Sequence, residues 1–258
     1  MLKPSLLMWC LVCLPLPGLA ATKLHFCYED KALPPLFMGN SLDVPAGYPG
    51  ATIEILQQVD AQLPELDIVY SRKPWNRCLY EIAKNRIDAV VATYRKEREH
   101  FLVFPHNAEG ELQTDLAISQ FGWCLVSKVS RAAVAEKVVP FTLAIPNGYS
   151  AAQKLNVEQY PQVGASSQRH AFELVNKGVV EGSIGICQIG QDQVAAYPYA
   201  NTLHAIRPPF DMSYGFMAFS KAFYQLNPAL VEKIWQVQHD LPHTKLYLKY
   251  LMMGIEEQ

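Results

Sequence analysis

The chain has no excess of basic charge. Its 22 Lys and Arg stand against 24 Asp and Glu, for a formal net charge of −2. That excludes the basic footprint with which a DNA or RNA binder meets phosphate, so no nucleic-acid partner is expected. No run of eighteen apolar residues occurs, and the mature chain is therefore expected to carry no transmembrane helix. With half of its residues apolar and 18% charged, the composition excludes a disordered or collagen-like polymer and supplies material for one or two cores. Internal repeats and low-complexity tracts are absent as well.

Catalytic signatures are equally scarce. Gly148-Tyr149-Ser150 lacks the second glycine of a G-x-S-x-G nucleophile turn. His239 and His243 are four apart, but Pro242 interrupts them and no Glu follows His239, so they do not make a metalloprotease helix and are expected on the surface. There is no Walker loop and no G-x-G-x-x-G; Gly182 to Gly185 is only a G-x-x-G. No C-x-x-C pair exists, which disfavours zinc. No cofactor and no metal site is expected.

What is present begins with a leader. Lys3 is followed by an apolar stretch from Leu6 to Pro17, then by Gly18 and Ala20 as small residues before a cleavage point. The apolar stretch is too short to span a bilayer, and the small-x-small site reads as a cleaved secretory signal over residues 1–20. The mature chain is thus expected in the periplasm. Cys10 and Cys13 leave with the leader, and Cys27, Cys78, Cys124 and Cys187 remain. In an oxidising compartment four cysteines suggest disulfides, with three pairings open and buried free thiols as the alternative.

The mature sequence opens with alternation of Leu24, Phe26 and Tyr28 against His25 and Cys27, a strand pattern. A Pro-containing loop over residues 30–50 leads into an amphipathic helix from Ala51, with Ile55, Leu56, Val59 and Leu63 on one side and Pro64 ending it. Leu66 to Ser71 reads as a strand, Pro74 precedes a second helix, and Ile87 to Thr93 is a buried strand. This β-α-β-α-β order, with helical crossovers, predicts an α/β fold with a mainly parallel sheet and right-handed connections.

A second unit begins near Trp123, with strands expected at Trp123–Ser127, Phe141–Ile145 and Ser183–Cys187. Helices are expected from Ser150 and over Gln168–Lys177, the latter capped by Gly178. Tyr214–Ser220 is strand-like. Asn227-Pro228 marks a helix start, and Lys245–Met253 closes the chain as a last helix. One bridge in each unit favours Cys27–Cys78 and Cys124–Cys187.

Parallel α/β sheets bind ligands at the carboxyl ends of their strands. Those ends carry Glu29, Asp30 and Leu33-Pro34-Pro35 after the first strand. Arg72, Lys73 and Trp75 follow the second, and Thr93, Tyr94, Arg95 and Arg98 the third. An Arg fork clasps a carboxylate, an acid accepts from an ammonium, and Trp covers an apolar body. The set suits a small zwitterion.

Several spaced pieces carry a family resemblance over nearly the whole mature chain. They are Tyr28-Glu29-Asp30 with Leu33-Pro34-Pro35-Leu36, the segment Gly47 to Ile55, Pro74-Trp75 through Asp88-Ala89, and Thr93 to Arg98 followed by Phe104-Pro105. In this order and spacing the chain resembles bacterial extracellular solute-binding proteins of family 3, the polar amino-acid-binding class of ABC transporters. The resemblance implies a two-lobed clamp of the type II periplasmic-binding-protein kind, with a two-strand hinge. Lobe 1 would be residues 22–118 plus 215–258, and lobe 2 residues 121–213.

It further implies that Arg98 holds a ligand carboxylate and that Thr93 is a hydroxyl or backbone partner. Trp75 would cover the ligand, Asp30 would make a polar contact, and Ser150 would offer a backbone N–H at a helix start in lobe 2. Arg95 stands where the family has a second Thr, and Leu33 where an aromatic is common. Ile186 stands where amino-acid binders carry an Asp for the α-ammonium. The extra Arg suggests a more acidic ligand or a bound anion.

The implied partners are a small solute and an ABC permease in the inner membrane, the protein itself acting as a monomer without catalysis. The alternatives are a ligand sensor for a membrane signalling protein and a cyclohexadienyl dehydratase-like enzyme. The enzyme would require an acid such as Glu29 or Asp30 beside the Arg.

Overall fold

The structure is a computed structural model and describes residues 20–129, 141–196 and 199–256. Apart from Ala20, the leader expected over residues 1–20 lies outside the described residues. No helix among the described residues is long and apolar enough to cross a membrane.

The predicted β-α-β-α-β unit forms as expected. Strand β1 (Thr22–Glu29) pairs in parallel with β2 (Leu66–Lys73) on one side and with β3 (Ala89–Thr93) on the other. Helix α1 (Ala51–Gln62) and helix α2 (Trp75–Ala83) make the crossovers. α1 buries Ile55, Leu56 and Val59 completely; each such side chain contributes on the order of 2 kcal/mol by leaving water. The turn before α1 requires glycine. Gly50 has φ +105°, and a Cβ there would lie 2.3 Å from the Leu36 carbonyl oxygen.

Beyond β3 the chain forms the short strand β4 (Leu102–Val103), which pairs with Phe219 and Ser220. It then enters β5 (Ser119–Ser127), β6 (Leu143–Pro146) and β7 (Gln162–Ala165). Helix α3 (Gln168–Asn176) follows, with Ser167 Oγ accepting the His170 backbone N–H at 3.1 Å as the N-cap. Gly178, at φ +73°, lies just beyond its end. Strands β8 (Gly182–Ile189), β9 (Asp192–Gln193) and β10 (His204–Ser220) complete the sheet. Helices α4 (Lys221–Leu226), α5 (Pro228–His239) and α6 (His243–Glu256) end the chain.

Hydrogen bonding joins the strands in the order β2-β1-β3-β10-β5-β8-β6-β7, with β4 and β9 at the side. The two central strands, β10 and β5, tie together two α/β halves. β10 is far longer than the Tyr214–Ser220 strand that the sequence suggests. Its C-terminal part lies against β3, and its N-terminal part against β5. The β5 register breaks between Ile206 and Asp211, where Pro208 and Pro209 have no N–H to give. Those prolines hide the strand from a pattern reading.

Each half has its own packing. In the first, α1, α5 and α6 bury Trp235, Tyr247 and Tyr250 against β1 and β10. Trp235 Nε1 donates to the Met217 carbonyl at 2.8 Å, and Tyr247 meets Thr52 at 3.0 Å. In the second, α3 packs Phe172 and Val175 on one face of the sheet, while Trp123, Leu143 and Ile184 fill the other. Cys27–Cys78 links β1 to α2, and Cys124–Cys187 links β5 to β8. Both are the pairings favoured from the sequence.

Candidate functional site

The carboxyl ends of β1 and β3 open onto a cavity of about 640 Å³, its mouth included. From the first half it is lined by Glu29, the Leu33 to Phe37 loop, Trp75, Thr93 and Arg98, and from the second by Trp123 and the Gly148 to Ala151 turn. The site therefore lies between the two halves, which is where the strand-end rule puts it.

Local sequence explains how each wall is placed. Leu33 and Phe37 exchange backbone hydrogen bonds at 2.9 and 3.1 Å, so the Pro34-Pro35 loop folds back and turns Leu33, Leu36 and Phe37 toward the cavity. Arg72 holds this region from behind. It is buried, donates to the carbonyls of Glu29, Gly39 and Asp43, and lies 5.0 Å over the Tyr28 ring. It is thus a strut rather than a wall residue. Trp75 is the first residue of α2, immediately after Pro74.

The turn facing Trp75 belongs to the second half and approaches closely. Gly148 sits at φ +85°, and a Cβ there would fall 2.3 Å from Asn76 Oδ1 and 2.9 Å from Trp75 Cδ1. Only glycine fits this contact without shifting the Asn76 and Trp75 side chains or straining the turn.

Arg98 sits in the short 3-10 turn Lys96–His100. Its Nη1 donates to the Thr93 carbonyl at 2.7 Å, which fixes the guanidinium at the cavity wall. Burial lowers its pKa to about 10, and Arg95 acts in the same direction; the group stays cationic at neutral pH.

Glu29 ends β1 and is 6% exposed. The Tyr149 hydroxyl donates to its Oε2 at 3.1 Å across the gap. Burial pushes the Glu29 carboxyl up to about 7, against the opposing effects of the Tyr149 hydrogen bond, Arg72 and Lys31. Burial and the neighbouring Glu29 raise the Tyr149 phenol well above its ordinary value. Tyr149 also meets Trp123 edge to face at 6.0 Å, and Trp123 Nε1 donates to Ser213 Oγ at 2.8 Å.

Of the residues singled out from the sequence, Arg98, Trp75, Thr93 and Ser150 converge on this cavity. Asp30 and Arg95 do not line it. Asp30 follows the last residue of β1; its side chain is largely enclosed but away from the cavity, with Lys31 at 3.9 Å. Arg95 pairs instead with Asp211 of β10 at 2.8 Å. Its charge is spent on that partner, so the more acidic ligand inferred from an extra cavity Arg loses its basis.

Ser150 opens a five-residue 3-10 turn, Ser150–Lys154, rather than the expected helix. It brings a hydroxyl and turn backbone to the wall without the dipole of a long helix. His239 and His243 stand on the last two helices, away from the cavity. His243 is half-buried rather than on the open surface.

The aromatic walls Phe37, Phe121, Trp123 and Tyr149 carry no motif that marks them as site residues in the sequence. Trp123 opens the second unit and Tyr149 precedes Ser150, so position relative to the strand ends was their only signal. Among the described residues lining the cavity, Glu29 is the sole acid and Arg98 the sole cation. No cluster suited to a metal ion occurs among the described residues.

No protein-family profile and no curated protein matches the sequence. Solved structures do match the fold. A substrate-binding protein of an amino acid ABC transporter from Streptococcus pneumoniae, bound to L-arginine, superposes with a TM-score of 0.62 at 15% identity. The match covers 91% of this chain and 94% of that one. The GLUR0 ligand binding core in complex with L-glutamate gives 0.64 at 13% identity, covering 91% and 98%. The ancestral amino acid-binding protein AncCDT-1, a precursor of cyclohexadienyl dehydratase, gives 0.63 at 15%, covering 89% and 95%.

The chain has the two-lobed fold of periplasmic binding proteins. At these identities the likeness speaks for the fold alone. The cavity between β3 and the Gly148 turn lies, in that fold, between the lobes.

Proposed function

We propose that the protein is an exported receptor that captures a small amino-acid-like or carboxylate solute between two lobes for an ABC importer. The observation that carries this reading is the Arg98 guanidinium, held by Thr93 at the wall of an inter-half cavity. Residues 22–118 plus 215–258 would form lobe 1 and residues 121–213 lobe 2, with β5 and β10 as the hinge. Arg98 grips the ligand carboxylate through charge-assisted hydrogen bonds. Trp75 covers the ligand, Thr93 orients Arg98, and Ser150 completes the grip from lobe 2. Closure changes the outline of the molecule, which a permease in the inner membrane reads. The two disulfides support an oxidising compartment and so agree with a leader removed after Ala20 and a periplasmic location. The protein acts as a monomer and without catalysis.

A thermal-shift screen of amino acids and carboxylates tests this reading. A hit raises the melting temperature by mass action, and Arg98→Ala should abolish it. A screen without any hit contradicts it.

A second reading draws on Glu29. An enzyme on this clamp needs an acid in the cavity with Arg98, and Glu29 lines that cavity with its carboxyl pushed up to about 7. Turnover of a cyclohexadienyl substrate that Glu29→Gln eliminates would favour it. Sensing is separated from import by the neighbouring genes, where permease and ATPase genes favour import.

A further inference from the structure

Glu29 and Arg98 are opposite charges lining one cavity from the same half, and they do not pair with each other. Glu29 is buried. Its Oε2 accepts the Tyr149 hydroxyl at 3.1 Å, and its Oε1 has no partner among the described residues. Arg98 is half-buried. Its Nη1 donates to the Thr93 carbonyl at 2.7 Å, and its Nε and Nη2 have no partner among the described residues. Both groups thus keep hydrogen-bonding capacity that water or a ligand must meet. They stand at the ends of neighbouring strands, since Glu29 closes β1 and Arg98 is fixed to Thr93, the last residue of β3. Paired strands lie about 4.8 Å apart, a spacing that one small molecule carrying both charges can bridge.

The rest of the wall is largely aromatic. Phe37, Trp75, Phe121, Trp123 and Tyr149 all line the space. Ring faces attract a cation, and their apolar bulk covers a side chain. The Tyr149 hydroxyl favours the ionised form of Glu29, and an arriving ammonium favours it further. Glu29 and Arg98 are the only charged residues among the described lining. A third charge on the ligand would therefore be enclosed without a partner.

We propose, given the receptor reading above, that the cavity takes a neutral zwitterion with an apolar side chain, its ammonium on Glu29 and its carboxylate on Arg98. Both charged contacts come from the first half. The second half brings Trp123 and Tyr149 as covering rings, and Tyr149 holds Glu29 Oε2 so that Oε1 faces the ligand. Amino acids with a charged side chain are disfavoured because one of their charges is left over, so selectivity rests on an unfavourable site for the competitor as much as on contacts to the ligand.

Titration calorimetry of the full mature chain tests this with matched probes at pH 8, above the value of about 7 to which burial raises Glu29. L-Phenylalanine carries both charges, 3-phenylpropionate lacks the ammonium, and L-arginine and L-glutamate add a third charge. The expected result is that L-phenylalanine binds at least tenfold tighter than each of the others. Glu29→Gln, with its fold checked by circular dichroism, should weaken L-phenylalanine at least tenfold and change 3-phenylpropionate less than threefold. If 3-phenylpropionate binds wild type as tightly as L-phenylalanine, or if Glu29→Gln weakens both probes alike, the ammonium site is overturned while the receptor reading stands. If L-arginine or L-glutamate binds as tightly or more so, the neutral ligand class is overturned and the receptor reading again stands. Binding of none of these probes overturns the inference, and the receptor reading falls with it only if the wider thermal-shift screen is also empty.

Discussion

The Tyr149 hydroxyl donates to the Glu29 carboxylate at 3.1 Å, joining residues 120 apart in sequence across the gap between the two halves. Glu29 ends the first strand, and Tyr149 stands on the turn after β6. The bond spans the cleft that the proposed ligand enters, so a separation of the two halves of the kind proposed would break it.

Glu29 should leave a mark on pH-dependent stability. Its carboxyl is raised from the ordinary 4.5 to about 7 in the fold, chiefly by burial. Between those values the folded chain keeps a proton that the unfolded chain releases. Its stabilising contribution is therefore complete below about 4.5 and is lost as pH rises toward 7. The loss is on the order of 3 kcal/mol at most. Asp60 is also raised, while Glu65, Glu81 and Glu99 are lowered, so the comparison must be made against Glu29→Gln. Urea unfolding at pH 5 and pH 7.5 should show wild type losing stability relative to the variant. Parallel profiles for the two proteins would count against a buried, proton-holding Glu29.

Gly148→Ala should loosen closure while leaving each half folded. The new methyl collides with Asn76 Oδ1 and Trp75 Cδ1 in a turn already at φ +85°. The collision is relieved when the second half swings away from α2. Small-angle scattering should show a more extended molecule, and affinity for the thermal-shift hit should fall about tenfold, the equivalent of about 1.4 kcal/mol. An unchanged outline with unchanged affinity would mean that the turn and α2 do not meet in the bound state.

Arg95 and Asp211 form a largely enclosed pair, their side chains 16% and 8% exposed. Removing one partner leaves the other charge stranded, at a cost of about 3–5 kcal/mol. Asp211→Ala should lower the melting temperature by several degrees, and the double change Arg95→Met with Asp211→Leu should recover most of it. A single variant as stable as wild type would show the pair to be solvated. Ligand affinity should follow Arg98, not Arg95.

Non-reducing peptide mass spectrometry should find Cys27–Cys78 and Cys124–Cys187. Their sequence separations of 51 and 63 predict about 4 kcal/mol of chain-entropy stabilisation each, so reduction should lower the melting temperature markedly. A Cys27–Cys187 bridge would overturn the division into two lobes.

Much of this was legible from short-range pattern. Alternation at Leu24, Phe26 and Tyr28, the stripe of Ile55, Leu56 and Val59, and Pro74 ahead of Trp75 each set an element by local rules. The strand-end rule then placed Arg98, Trp75 and Thr93 together. What escaped depends on partners distant in sequence. Arg95 finds Asp211 116 residues away, and no local pattern announces that pairing. Glu29 and Asp30 are adjacent acids, and only the exact end of the strand decides which one lines the cavity. The first part of β10 was hidden because Pro208 and Pro209 erase the alternation there. Ser150–Lys154 has helix-like composition but is too short to be more than a turn.

Titration calorimetry of the strongest thermal-shift hit against wild type and Arg98→Ala bears most directly on the account. Loss of a charge-assisted grip in a buried site predicts a fall in affinity of about a hundredfold or more, with the fold intact by circular dichroism. Equal affinity in the two proteins would contradict it.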